Sequence, residues 1–245
     1  MLAGLSGISS ARYDLKGRGP FKRAYVIASS YRSGSTHLCT CLWRTGLLGA
    51  PFEYFNYEHE MTFMYARLGA SCAEDYLEKL LACRMSDNGV FGFKAHFHHF
   101  RAALRNSPAM LRRLAPLQFV FIRRSDPIAQ AVSLAKAYQT RAWLSPSSRD
   151  RREVPLFYSA EFIAACLEEI REQEGLWIDW FDSRGIQPYS VIYEDLLRNE
   201  SQIVQEICAR LEVTRDEPSI AEVPRVQPQS DGVNADWIRR FKADC

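Results

Sequence analysis

The stretch that most constrains this chain runs from Ala24 to Thr36, where an apolar segment gives way to a small polar loop. Ala24–Ser29 has the near-continuous apolar character of a buried strand, and Ser35–Thr45 has the spacing of a helix. Backbone N–H groups of a loop between a strand and a helix N-terminus can wrap an oxyanion. The stretch therefore predicts an anion-binding loop. An ordinary Ser/Gly turn that caps a helix is the alternative.

The loop differs from the Walker A motif, which requires a lysine between its last glycine and Ser/Thr. Here Gly34 is followed directly by Ser35 and Thr36, and the positive charge comes from Arg32. The N–H groups from Ser33 onward can still bind an oxyanion, helped by the helix dipole. The missing lysine disfavours a magnesium- and ATP-dependent P-loop kinase. That kinase and a non-catalytic nucleotide-binding protein remain the alternatives to the function inferred below.

Strands and helices alternate along the rest of the chain. Further strands are predicted at Val90–Ala95, Leu117–Ile122 and Tyr189–Tyr193, and helices at 72–84, 97–114, 127–139, 159–183, 200–211 and 237–241. This alternation predicts an α/β fold with a mostly parallel central sheet flanked by helices. Residues 1–22 read as a flexible N-terminal arm and 23–245 as a single domain.

Composition excludes several classes of function. The 245 residues carry a net charge of only +2, so bulk charge gives no indication of nucleic-acid or anionic-membrane binding. The seven cysteines are scattered, as expected in a reducing compartment. No apolar run approaches the ~20 residues that cross a bilayer, and Met1–Arg23 lacks a signal-peptide core. We expect a cytoplasmic protein without a transmembrane segment or a nucleic-acid partner.

A second anion site is predicted at Arg124, just after the Leu117–Ile122 strand, together with Ser133 on the following helix. An arginine and a hydroxyl can bind a phosphate monoester by charge-assisted hydrogen bonds. Ligands of parallel sheets lie at the carboxyl ends of the strands, so both anion sites should share one crevice. Two such sites suit a nucleotide with phosphates at both ends. In the alternative, Arg124 pairs with a surface carboxylate and Ser133 only occupies a helix surface.

An ordered series of motifs supports a more specific interpretation. The series is Ser30-x-Arg32-Ser33-Gly34-Ser35-Thr36, Glu53-Tyr54-Phe55, Arg124-Ser125-Asp126-x-x-x-Gln130-Ala131-x-Ser133, Gln139-Thr140-Arg141-x-Trp143, Gln173-Glu174 with Trp180-Phe181, and Asp236-Trp237. It spans residues 24–242 and resembles the bacterial trehalose 2-sulfotransferase family. That family is a branch of the carbohydrate sulfotransferases that depend on 3′-phosphoadenosine 5′-phosphosulfate (PAPS).

The resemblance implies a P-loop-like sulfotransferase fold, PAPS as the sulfuryl donor and 3′,5′-ADP as the product. It assigns the 5′-phosphosulfate to the loop residues Arg32, Ser33, Gly34, Ser35 and Thr36. It also assigns the 3′-phosphate to Arg124 and Ser133, and a segment that closes over the donor to the region of Arg225 and Gln227.

By the same resemblance, Glu53 is the general base, and partial desolvation in its aromatic loop should raise its pKa toward the working pH. A solvated loop carboxylate is the alternative. Arg32 would stabilise the leaving group, and no metal is expected, since His96, His98 and His99 do not form a convincing ligand set. The expected acceptor-binding residues are Tyr31, Pro51, Glu53, Tyr54, Phe55 and Asn56, with Lys94 and the histidines as candidates for the opposite wall.

Two departures leave the acceptor open. The family reads Glu-Pro-Gln where this chain reads Ala50-Pro51-Phe52, and Gln where this chain has Tyr31. Polar sugar contacts are thus replaced by smaller or apolar groups, so trehalose does not follow. The expected partner is a carbohydrate or glycolipid acceptor. Members of the family can form homodimers, and the sequence does not decide the oligomeric state.

Overall fold

The computed structural model describes residues 7, 9–15, 17, 19–141, 143, 155–214 and 232–244. Its strands are β1 (Arg23–Ser29), β2 (Val90–His96), β3 (Leu117–Arg123) and β4 (Tyr189–Ile192). They form a parallel sheet in the order β2-β1-β3-β4. The predicted α/β fold with a parallel central sheet is confirmed.

Helices surround this sheet. Those of the described residues are α1 (Ser35–Arg44), α2 (Glu60–Leu68), α3 (Ala73–Arg84), α4 (Phe97–Asn106), α5 (Pro108–Leu114), α6 (Pro127–Thr140), α7 (Ala160–Asp182), α8 (Tyr193–Arg198), α9 (Glu200–Arg210) and α10 (Gly232–Asp244). Every one of them is too short or too polar to cross a membrane. Helix α6 begins as its sequence indicates, because the Asp126 carboxylate accepts a hydrogen bond of 2.9 Å from the Ala129 N–H and Pro127 occupies the first turn.

Two helix predictions need correction. The single helix expected over 97–114 is divided at Ser107, whose φ of −139° and ψ of 49° are not helical. Pro108 explains the break, since a proline disfavours helical geometry in the residue before it and lacks an N–H donor. The aromatic loop around Glu53 is predicted over residues 49–64, but its last part forms the start of α2, which ends at Gly69 in a left-handed conformation.

The described part of the N-terminal stretch packs against the domain. Ala11–Tyr13 forms a 3-10 helix, and the buried Tyr13 ring lies 4.8 Å from the Trp43 ring and 4.5 Å from the Phe52 ring. The Leu15 N–H also donates to the Cys83 carbonyl over 2.8 Å. These contacts tie the segment that precedes β1 to α1 and α3.

Two apolar clusters pack around the end of the sheet at which the predicted anion loop begins. In the first, Trp177 of α7 is fully buried against the α4 and β3 aromatics, and its indole N–H donates to the Ser29 carbonyl over 3.2 Å. In the second, α6, α7 and α10 pack together, with Trp237 and Phe241 buried between them. Both clusters brace the carboxyl end of β1, where the predicted anion loop begins.

Candidate active site

A cleft of about 960 Å³ opens at the carboxyl ends of the strands. The structure brings nine of the predicted site residues to its wall: Tyr31, Arg32, Gly34, Ser35, Thr36, Glu53, Asn56, Arg124 and Ser133. Parallel strands explain this convergence, because β1 and β3 end at the same edge of the sheet, with Ser29 beside Ile122.

The anion loop has a fixed backbone. Gly34 has a φ of 86°, and a Cβ at this position would lie 2.0 Å from the Tyr193 ring, so only glycine fits. The Gln130 amide donates to the Ser30 hydroxyl over 2.9 Å and to the Tyr31 carbonyl over 2.6 Å. The Ser30 hydroxyl in turn donates to Glu174 over 3.0 Å. These bonds give the Gln130 and Glu174 motif residues a positioning role that the sequence did not reveal.

Several groups of the loop suit an anion. The Ser33 hydroxyl oxygen is buried without a hydrogen-bond partner among the described residues. Burial and the nearby Arg124 charge lower the pKa of Arg32. Like charges held close together in a partly desolvated wall favour a bound anion that compensates them. The residues present therefore fit a phosphate- or sulfate-bearing ligand.

The two predicted anion sites are joined rather than separate. The Arg32 guanidinium donates to the Ser133 hydroxyl over 3.0 Å and to the Trp143 carbonyl over 2.8 Å. Arg124 lies over the Tyr193 ring at 5.0 Å, and its Nε is 3.5 Å from a Glu194 carboxylate oxygen. Arg124 thus has the carboxylate partner that the alternative interpretation expected, and it also lines the cleft.

Glu53 is placed beside the loop by backbone pairing. The Lys94 N–H of β2 donates to the Phe52 carbonyl over 2.9 Å, so the segment after α1 runs along the outer edge of the sheet. This contact brings the Glu53 carboxylate into a short ion pair with the Lys94 ammonium. The ammonium also lies 3.2 Å from the Thr36 hydroxyl, and the Asn56 amide donates to Glu53 over 3.2 Å. Glu53 is therefore linked through one lysine to the anion loop.

The expected direction of the Glu53 pKa shift is wrong. Burial by itself raises the pKa of this carboxyl, but the Lys94 ammonium and the His96 ring outweigh burial and hold the pKa well below its usual range. In this arrangement Glu53 is ionised and weakly basic. The prediction failed because it counted desolvation and omitted the ion pair.

Two buried histidines, His96 and His99, lie near the Glu53 carboxylate. Burial lowers the pKa of His96 to about 4 although Glu53 opposes the shift, and the His96 Nε2 lies 3.9 Å from the carboxylate. Burial also lowers the pKa of His99 to about 3, with His96 and His98 adding to the effect. Both rings are neutral at physiological pH.

These histidines predict an acid-sensitive stability. Between about pH 6.5 and 4 the unfolded chain binds protons at His96 and His99 before the folded chain does, so the free energy of unfolding falls as pH falls. At pH 5 the loss is about 2 kcal/mol for each ring. Thermal unfolding at several pH values should show this slope, with the slope halved in His99→Phe and unchanged in the exposed-site variant His59→Gln. An unaltered slope in His99→Phe would contradict the assignment.

Three predicted acceptor residues lie away from the cleft. Tyr54 and Phe55 are fully buried in the core, where Tyr54 donates to the Ala50 carbonyl and Phe55 packs on Phe93 at 4.7 Å. Pro51 is buried in the same segment. The structure gives these three residues packing roles in the core instead of contacts in the cleft. Arg225 and Gln227 lie outside the described residues.

Aromatic side chains outside the predicted set of acceptor-binding residues line the cleft. Phe63 and Trp143 are each 42% exposed and Tyr138 is 38% exposed. Trp143 stands 5.9 Å from the Tyr31 ring and 5.2 Å from the Tyr138 ring. Exposed aromatic faces beside carboxylates and an amide suit a sugar ring, which stacks its apolar face and bonds through its hydroxyls.

One group of potential metal ligands lies beside the cleft, where His37 forms part of the wall. Within the described ranges, three donor atoms that all lie within 4.8 Å of one another are found at His37, Cys41 and Glu200, and the His96–His99 cluster provides no such set of three. Arg44 lies 3.4 Å from Glu200, and burial and the Glu200 carboxylate raise the pKa of the Cys41 thiol. A competing cation and a protonated thiol both disfavour metal binding there.

The class of fold follows from comparison with solved structures. The chain is similar to a sulfotransferase domain from the curacin biosynthetic pathway, with a TM-score of 0.50, 16% identity, and coverage of 89% of this chain and 83% of that one. At this identity the likeness shows the fold alone. The chain has a sulfotransferase fold.

The sequence then gives the family. The Stf0 sulphotransferase family model matches residues 24–244, so the chain belongs to that family. It is 27% identical over 268 residues to the trehalose 2-sulfotransferase of Mycobacterium tuberculosis, covering 91% of this chain and 96% of the relative. It is also 27% identical over 260 residues to the trehalose 2-sulfotransferase of Mycolicibacterium smegmatis, with coverages of 91% and 95%. The resemblance inferred from the ordered motifs is confirmed, and the protein is a sulfotransferase-family enzyme.

Proposed function

We propose that this enzyme transfers a sulfuryl group from PAPS to a hydroxyl of a carbohydrate or glycolipid acceptor, with Glu53 as the general base. One observation carries the proposal. Glu53, a carboxylate, reaches the same cleft as the Arg32 loop and is linked to that loop through Lys94 and Thr36. A base beside an anion loop is the arrangement that group transfer to a hydroxyl requires.

The donor would be held at both of its ends by this chain. The N–H groups of residues 33–36 and the buried Ser33 hydroxyl would bind the phosphosulfate, and Arg32 would neutralise charge on the leaving phosphate. Arg124 and Ser133 would bind the 3′-phosphate. When bound, PAPS supplies the electrophilic sulfur and a nucleotide leaving group. The chain supplies position, charge and the proton acceptor.

The acceptor would lie between Glu53 and the exposed aromatics of the cleft. Trehalose is the first sugar to test, since both relatives are trehalose 2-sulfotransferases. Of the sequence departures, Phe52 is buried against Tyr13 and does not reach the cleft. Tyr31 does line it and bonds to His98 over 3.1 Å. Tyr31 is therefore the departure that should alter the choice of sugar.

Nucleotide binding tests the donor assignment without turnover. Calorimetry in the absence of magnesium should show 3′,5′-ADP binding roughly 10- to 100-fold more tightly than 5′-AMP, as expected for a charge-assisted 3′-phosphate site. Arg124→Met should remove this preference, while Arg198→Met, an exposed arginine of α8, should keep it. Equal binding of the two nucleotides would overturn the 3′-phosphate site. Magnesium-dependent ATP binding would instead indicate a kinase.

A further inference from the structure

Lys94 is an unusual residue for its position. It lies in β2, all seven residues of which are buried, and is itself 5% exposed. A buried ammonium is costly unless an anion compensates it. Glu53 provides that anion, and it more than offsets the burial that by itself would lower the pKa of Lys94. This buried strand can contain a charged lysine because Glu53 pairs with it.

The ammonium is also placed for a second anionic partner. Its Nζ lies 3.2 Å from the Thr36 hydroxyl, in the first turn of α1 beside the anion loop. The loop itself has no lysine, since Gly34 is followed by Ser35 and Thr36. A cation from a neighbouring strand thus lies beside the loop that would bind an anion, and the same cation is paired with Glu53.

We propose that Lys94 exchanges partners when the donor binds. Its ammonium leaves the Glu53 carboxylate and contacts the phosphosulfate of the donor. Glu53 therefore becomes an effective base only when the donor is bound. This inference rests on the proposed function and assigns a new catalytic contact to Lys94. It explains how a carboxylate neutralised by an ion pair can still accept a proton.

The exchange balances in charge and in bonds. The acceptor oxygen forms a bond to sulfur, and the bond between sulfur and the bridging oxygen of the 5′-phosphate breaks. The acceptor proton passes to a Glu53 carboxylate oxygen, and the electron pair stays on the phosphate of 3′,5′-ADP. Arg32 would stabilise that developing charge, and Lys94 would contact the oxygens of the sulfuryl group that is transferred.

Other charged or titratable groups also surround Glu53. They are His96 of β2, His99 of α4, Glu60 of α2, Cys39 of α1 and Tyr31 of the loop. Removal of the Lys94 charge would take away the foremost of the groups that lower the pKa of Glu53. Burial, which raises that pKa, would then be opposed by His96 and His99. Donor binding should therefore be linked to proton uptake at Glu53.

Calorimetry with two ligands tests the contact. Lys94→Met should weaken binding of PAPS roughly 10- to 100-fold but change 3′,5′-ADP binding less than about threefold, because only PAPS carries the sulfuryl group. The double variant Lys94→Met/Glu53→Gln, which leaves no unpaired charge, should show the same loss, and the partly exposed Lys79→Met should show none. Unchanged PAPS affinity in a folded Lys94 variant overturns the exchange. If the wild type bound neither PAPS nor 3′,5′-ADP, the proposed function itself would be wrong.

Proton uptake supplies a second readout without acceptor. Titrations of PAPS at about pH 5.5 in buffers of different ionisation enthalpy should show uptake in the wild type and markedly less in Glu53→Gln. The uptake with 3′,5′-ADP should be smaller than with PAPS. Equal uptake in wild type and Glu53→Gln would show that Lys94 does not release Glu53.

Discussion

Replacement of Glu53 by glutamine is expected to lower kcat by ~10²–10⁴-fold, the range typical for loss of a general base. The side chain keeps its shape and its capacity to meet Asn56 and Lys94, but the amide cannot accept the acceptor proton. Affinity for 3′,5′-ADP should stay within about threefold, because the residues proposed to bind its phosphates lie on the loop, at Arg124 and on α6. Kinetics with PAPS and calorimetry with 3′,5′-ADP measure the two effects.

Glu58→Gln is the matched control for this variant. Glu58 is an exposed carboxylate of the same cleft, five residues along the same segment. Its replacement should leave kcat within about threefold, since exposed charges contribute little. If Glu53→Gln retained wild-type turnover, Glu53 would have no part in proton transfer and the mechanism would need another base.

Replacement of Arg32 by methionine should lower kcat/KM for PAPS by ~10²–10³-fold, the usual effect of removing one group that stabilises charge in the transition state. Arg32 is held by Ser133 and the Trp143 carbonyl, so its guanidinium is already oriented in the cleft. Steady-state kinetics with varied PAPS measures the loss.

A second variant at this position separates charge from geometry, and an exposed arginine provides the control. Arg32→Lys keeps the charge but loses the planar fork, and it should recover only part of the activity. Arg239→Met removes an exposed arginine of α10 and should have no measurable effect. A fully active Arg32→Met enzyme would contradict the role in leaving-group stabilisation.

The sequence predicted the half of the site that is local. The strand, loop and helix N-terminus from Ala24 onward occur as expected, because apolar runs, a small-residue loop and a helical period are local signals. Arg124 and Ser133 reach the same cleft because parallel strands end at one edge of the sheet. The family resemblance then located Glu53, which the structure places in the same cleft.

The rest of the site depends on pairing between distant segments. The hydrogen bond between the Lys94 N–H and the Phe52 carbonyl holds this segment against β2, with Glu53 in the cleft and with Tyr54 and Phe55 in the core. Such a register cannot be read from either segment alone, because both are rich in aromatic residues. The ion pair could have been predicted from Lys94, because a lysine within a buried strand needs an anionic partner.

The most direct test of the central claim supplies sulfur-radiolabelled PAPS to the purified enzyme with trehalose, a panel of other sugars and glycolipids, and cell extracts. We expect the wild type to transfer label to a carbohydrate-containing acceptor and to release 3′,5′-ADP in equal amount, and we expect Glu53→Gln to form both products ~10²–10⁴-fold more slowly. Release of 3′,5′-ADP at the same rate with every acceptor omitted, or transfer of label only to compounds without a sugar, would contradict the claim.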